Sequence, residues 1–152
     1  MAEDWLDKFL KEKQTSEKLQ EDADEKELRD AAKLQALLPE FWQAIVKTLQ
    51  SDLERYNQMV YYTEKLYYKP LGRYQFLIEK QSHPSARLTL SMDASSERLK
   101  AHYEHVPLPD RSLQIRLRED NLYLESAPGT SVPDREISRE VLEDFLRKVQ
   151  GG

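Results

Sequence analysis

Between residues 74 and 126 the chain alternates apolar and polar residues with a period of two, five times over. In RYQFLIEKQ, Tyr74, Phe76 and Ile78 share one parity. In ARLTLSM the apolar parity is Leu88, Leu90 and Met92, with Arg87, Thr89 and Ser91 opposite. RLKAHYEH sets Leu99, Ala101 and Tyr103 against Arg98, Lys100, His102 and Glu104. LQIRLR and LYLES continue with Leu113, Ile115, Leu117, Leu122 and Leu124. Successive side chains of a strand point to opposite faces, so this pattern is that of half-buried strands. The separators SHPS, DASSE, PLPDRS and EDN are turn chemistry. An antiparallel meander of five strands follows, with one apolar and one wet face.

A one-faced sheet needs cover. Two segments offer it. PEFWQAIVKTLQSDLERYN (39–57) puts Phe41, Trp42, Ile45, Val46, Leu49, Leu53 and Tyr56 on one side of a helix. At 1.5 Å per residue, about 18 residues span about 27 Å, enough to cross a small sheet. Near the end, Ser138 reads as an N-cap for a helix carrying Val141, Leu142, Phe145, Leu146 and Val149. Residues 126–137, SAPGTSVPDREI, read as a Pro/Gly/Ser loop. The fold class expected is therefore α+β: N-terminal helices, a five-stranded antiparallel meander, and a long helix and a C-terminal helix over its apolar face.

The front of the chain differs. Residues 1–38 hold 11 Asp/Glu against 7 Lys/Arg, whereas residues 39–152 hold 17 against 16. Residues 3–13 carry Trp5, Leu6, Phe9 and Leu10 as one narrow helical stripe, with Asp4 and Asp7 early and Lys11 and Lys13 late, as a helix dipole favours. Residues 14–27 have only Leu19 and Ala23 as apolar residues and read as a linker or a solvated helix, with a composition that leans toward mobility. LRDAAKLQALL (28–38) resumes a helical pattern, and Pro39 marks a break or kink at Leu38–Pro39. The organisation expected is an amphipathic helix and acidic tether over 1–27 and one α+β domain over 28–152.

Composition excludes several chemistries. There is no cysteine, hence no disulfide, thiolate metal site or cysteine nucleophile. Four glycines leave no glycine-rich phosphate cradle, and no G-x-S-x-G or HExxH sequence is present. His102 and His105 are three apart, but a strand separates odd offsets onto opposite faces, so no metal site is expected there. No cofactor is expected. A net charge of −5 argues against a general affinity for nucleic acid. The opening MAEDWLDKFLKEK lacks a basic flank and apolar run, so no secretory signal is read, and no stretch approaches about 20 apolar residues. The expected location is cytoplasmic.

Two features remain for function. YNQMVYYTEKLYYKPLGRY (56–74) holds six of the eight tyrosines, with Lys65, Lys69 and Arg73 between them. The period is ambiguous over 58–68, and KPLG reads as a turn with Pro70 second and Gly72 fourth. The tyrosines suit packing between helix and sheet. Alternatively, Tyr61, Tyr62, Tyr67, Tyr68 and Tyr74 line a pocket for a small ligand between helix and sheet. Base stacking is the third reading, disfavoured because Phe76 and Tyr103 share the buried parity. The second feature is the Trp5–Leu6–Phe9–Leu10 stripe, which the core does not need. It docks on its own domain, on a protein partner or second copy, or on a membrane; its acidic residues Glu3, Asp4 and Asp7 speak against the last. The di-glycine end, Gly151–Gly152, is accounted for by a helix cap and a free end rather than by a conjugated modifier. The function expected is a non-enzymatic interaction module (adaptor, chaperone-like or regulatory) that uses the stripe, with homodimerisation an open possibility.

Overall fold

A computed structural model describes the backbone of residues 2–151 and the side chains of residues 5–150. Glu3, Asp4 and Gly152, invoked above, have side chains or positions outside those described residues. The chain divides into two compact units, Met1–Ala36 and Leu37–Gly152. Helix α1 (Ala2–Met59) runs through the first and into the second.

The described residues of the first unit, 2–36, are helical throughout. The segment read as a linker or solvated helix, 14–27, is helix. Glu, Lys, Gln, Leu and Ala dominate it, and these lose little side-chain freedom in a helix. Local bonds add support: Thr15 Oγ1 donates to the Lys11 carbonyl at 2.8 Å, and Gln20 Nε2 to Asp24 Oδ1 at 3.1 Å. Of the break or kink expected at Leu38–Pro39, the break does not occur. Proline removes one backbone donor, that toward residue 35, and α1 continues through it. The division between units falls three residues ahead of that proline. Hence the several N-terminal helices of the sequence reading are one.

The second unit is a sheet under two helices. Seven strands, not five, pair antiparallel in chain order: β1 (Tyr67–Gly72), β2 (Gln75–Lys80), β3 (Ala86–Asp93), β4 (Arg98–Glu104), β5 (Arg111–Arg118), β6 (Asn121–Ala127) and β7 (Thr130–Val132). The two extra strands sit where turn residues masked them. KPLG belongs to β1, and the turn moves to Arg73–Tyr74; the register shifts between Pro70 and Gly72. Here ladder pairing with β2 overrides the local turn preference. β7 lies inside the Pro/Gly/Ser segment, reached by a turn in which Gly129 takes φ +80, a region closed to most side chains.

The register builds the core in rows. Phe76 opposes Leu90, which opposes Ala101; Ile78 opposes Leu88, which opposes Tyr103. Met92, Leu99 and Leu113 form another row, and Ile115, Leu124 and Val132 another. All are buried. From α1 come Leu38, Trp42, Ile45, Leu49 and Leu53, at steps of four, three, four and four, all buried. From α2 (Ile137–Gly151) come Ile137, Val141, Leu142, Phe145 and Val149. The helix starts one residue before Ser138, which is buried inside its first turn rather than capping it. A 3-10 turn, Asp134–Glu136, leads in and makes a cap unnecessary.

Specific bonds tie the layers. Tyr103 Oη donates to the Val141 carbonyl at 3.0 Å, and its ring lies 6.1 Å from Phe145. Burial pushes that phenol up to about 12. Arg111 bonds to the carbonyl and carboxylate of Glu140. Lys80 follows the inward parity of Phe76 and Ile78, and its ammonium, only 6% exposed as a residue, donates to the Val149 carbonyl at 3.3 Å. Carbonyls in the last turn of a helix lack intrahelical donors and carry the negative end of its dipole, so a cation is favoured there.

The β1 edge is closed by chemistry rather than by another strand. Asn57 donates from Nδ2 to the Leu66 carbonyl at 2.9 Å and accepts the Leu66 N–H at 2.8 Å. Those two groups are where a neighbouring strand would bond. Two residues alternate back to the same side of the strand at Tyr68 and Pro70, and Pro70 has no N–H to offer. An edge without consecutive donors is a poor template for another chain.

Asn57→Ala leaves both Leu66 backbone groups without that partner, and is expected to lower stability by about 1–3 kcal/mol, read as a reduced urea midpoint at unchanged slope. Tyr103 gives a pH test. Its folded pKa lies above the unfolded value of 10.0, so its contribution is complete below pH 10 and is lost as pH rises toward about 12. Tyr103→Phe is expected to flatten the fall in stability over that window relative to the parent chain.

Candidate interaction site

The stripe on the first unit is presented by helix geometry alone. Trp5, Leu6, Phe9 and Leu10 lie at i, i+1, i+4 and i+5, so they fall on one side of α1. Their exposures are 63%, 45%, 54% and 45%. A Trp and a Phe left this open are costly in water, at about 25 cal/mol for each Å² of apolar surface. From Leu10 onward the same side carries Lys13, Ser16 and Gln20, so the stripe ends within two turns.

The tyrosines divide. Tyr68 and Tyr74 are half-buried and packed. The Tyr68 ring lies 5.9 Å from Phe76, and its hydroxyl donates to Glu54 Oε1 at 3.1 Å. Tyr74 meets Trp42 edge-on at 6.2 Å and carries the Arg73 guanidinium 5.1 Å from its centroid. Tyr61 and Tyr62 are 83% and 78% exposed, and Tyr67 is also exposed. The ambiguous stretch 58–68 resolves as the end of α1 at Met59, a 3-10 turn over Tyr62–Glu64, and the start of β1. Thus the structure does not bring the five tyrosines together around one cavity. A groove of 320 Å³ beside α1 is lined by Phe41, Ile45, Leu122 and Ile137. Another, of 530 Å³, is lined by Ala86, Val106, Leu108 and Val149 beside Arg147 and Lys148. Neither contains a tyrosine, and Tyr74 alone of the five borders a shallow depression with Arg73, Ser91 and Lys100.

The outward face of the sheet is charged and internally paired. Arg87 reaches Glu79 and Glu104, each at 3.4 Å; Arg116 reaches Glu125 at 2.6 Å; Lys100 reaches Asp93 at 3.3 Å. Arg98 donates to Ser112 Oγ at 2.9 Å, and Arg118 stacks 4.5 Å from the Tyr123 centroid. Cross-strand partners, as the register dictates, therefore satisfy the cations that sequence placed on that face. Hydrogen bonds from Arg116 and from the Gly129 N–H lower the Glu125 pKa.

His102 and His105 are set apart. His102 lies on β4 and meets Asp110 at 2.8 Å and Glu104 at 3.4 Å, whereas His105 follows the strand with φ +64. No group of three or more His, Asp or Glu side chains suited to a metal ion occurs among the described residues. No helix among them is long and apolar enough to cross a membrane.

Sequence reading missed Met59 and Leu71, which are 85% and 48% exposed. Met59 is the last residue of α1, and Leu71 sits at the register shift of β1. The only signal was their position at ends of elements, where periodicity loses its meaning.

The chain matches no protein-family model, no curated protein and no solved structure. Its function has to be argued from its own surface.

The hydrogen bond that the His102 ring donates to the Asp110 carboxylate raises the His102 pKa above its ordinary 6.5, with Glu104 adding to the effect. An NMR titration is expected to show the His102 pKa raised, and Asp110→Asn should bring it back toward its ordinary value.

Proposed function

We propose that the protein is a non-enzymatic interaction module, an adaptor, chaperone-like or regulatory protein, that engages a protein partner through the Trp5–Leu6–Phe9–Leu10 face of its N-terminal helix. The observation that carries the reading is the exposure of all four side chains on one side of a helix whose next twenty or so residues are solvated and charged. Helices with such a stripe bind by laying it in an apolar recess, and Trp and Phe are the side chains that contribute most when buried at an interface. The second unit completes its own core without the stripe's four residues, since two helices already cover the rows of its sheet. The acidic stretch behind the stripe keeps the intervening helix in water.

The chain has two tryptophans, and Trp42 is 3% exposed. In a Trp42→Phe background, fluorescence reports Trp5 alone. Trp5 is expected to be quenched freely by acrylamide in the dissociated chain and to be protected on association. Trp5→Ala/Phe9→Ala should weaken association, whether with a partner protein or between copies, by about 30-fold or more, roughly 2 kcal/mol or more for such anchors, with unchanged circular dichroism and thermal midpoint. Removal of residues 1–23 should leave the Leu37–Gly152 unit folded. Unfolding on that deletion, or association indifferent to both substitutions, would refute the reading.

A further inference from the structure

The large apolar side chains exposed among the described residues fall into two sets. Six are on α1 between Trp5 and Leu28, and five lie within thirteen residues: Met59, Tyr61, Tyr62, Tyr67 and Leu71. From residue 72 to residue 150 there are none. Among the described residues of the second unit, the large apolar side chains left exposed thus all lie on one stretch of chain, the end of α1, the loop after it and β1. A surface that concentrates apolar side chains in this way marks an interaction site.

We propose that this Met59–Leu71 surface receives the Trp5–Leu10 stripe of a second copy of the chain, so that two copies exchange N-terminal helices. The proposal rests on the interaction reading above and names its partner. Three observations select this pairing. First, the stripe cannot zip to its own twin. A coiled coil needs an apolar seam over about three or four heptads, and this one stops at Leu10, where Lys13, Ser16 and Gln20 take over. Second, charge separates like from unlike. Residues 1–36 carry 11 Asp/Glu against 7 Lys/Arg, so two such helices repel, whereas residues 59–73 carry Lys65, Lys69 and Arg73 against Glu64 alone. The apolar groove beside α1 has the wrong sign, bordered by Glu40, Asp120 and Asp134, and the groove at Val106 and Leu108 sets Asp144 beside Arg147 and Lys148 and exposes no large apolar side chain. Third, a strand is the poorer occupant, because Asn57 takes the Leu66 groups at the start of β1 and Pro70 offers no N–H within it. What is left open is side chains, which suits a helix face. Reciprocal exchange gives two equal contacts about a two-fold axis and a closed dimer.

The absence of cysteine makes the test direct. Lys8→Cys and Thr63→Cys chains, each full length, are mixed in equal amounts and mildly oxidised, and the products are weighed by mass spectrometry. The mixed 8–63 disulfide is expected to exceed either homodisulfide by about 10-fold, and Tyr61→Ser/Tyr62→Ser in the Thr63→Cys chain should remove that excess without altering circular dichroism. A dominant 8–8 link, a link within one chain of the double variant, or a monomer at every concentration sampled by sedimentation would overturn the proposal. If Trp5→Ala/Phe9→Ala still abolishes association while the 8–63 link is missing, the interaction reading stands and only its docking surface is wrong. If those substitutions are also without effect, both fall.

Discussion

The rows Phe76–Leu90–Ala101 and Ile78–Leu88–Tyr103 cross three strands on one face of the sheet, and that face cannot be left against water. The rest of the second unit is arranged around keeping it dry. Strands that pair in chain order need only short turns, and the sheet remains open rather than closing on itself. The cover comes from the two chain segments outside the meander, α1 before it and α2 after it. Two polar groups caught under the cover are given partners: the Tyr103 hydroxyl and the Lys80 ammonium both end on carbonyls of α2. Burying a polar group costs far less on those terms than leaving it unpaired.

An open sheet has two edges, and both are managed. β7 is only three residues long, too short to recruit another chain. β1 is longer and carries two devices, a side-chain amide standing in for a neighbouring strand at Leu66 and a proline two positions past Tyr68. The outward sheet face is managed differently, with Arg87, Lys100 and Arg116 each neutralised by an acid on the same or an adjacent strand. Against this management of edges and of the outward face, the apolar side chains left exposed on the N-terminal helix and around Tyr61–Tyr62 stand out.

The meander and its inward parity were legible because a half-buried strand writes its geometry directly into the chain. Leu88, Leu90 and Met92 cannot be on any other face once Arg87 and Thr89 are in water. The helix from Trp42 to Leu53 was legible for the same reason at a different period. What was hidden lies where two rules compete. Pro70 and Gly72 are turn residues by local preference, yet ladder bonds with β2 hold them in a strand. Gly129 and its neighbours look like loop because β7 is so short. Pro39 reads as a stop, but one missing bond does not outweigh the favourable residues around it. Of the candidate site, the Trp5–Leu10 stripe was visible as a periodicity. The separation of Tyr61, Tyr62 and Tyr67 from Tyr68 and Tyr74 was not, since it depends on where α1 ends and β1 begins.

The Asn57–Leu66 bonds have one more effect. They join the end of α1 to the start of β1 and so close a short loop at its base, while the Ser82 hydroxyl holds the Thr63 carbonyl near its tip. Tyr61 and Tyr62 are carried on that loop. Side chains on a free segment must surrender their motion when they meet a partner, and that loss subtracts from affinity. Here the backbone beneath the two rings is fixed when the chain folds. The loop is thus tied both at its base and near its tip, and its backbone has fewer conformations open to it than a loop held at its ends alone.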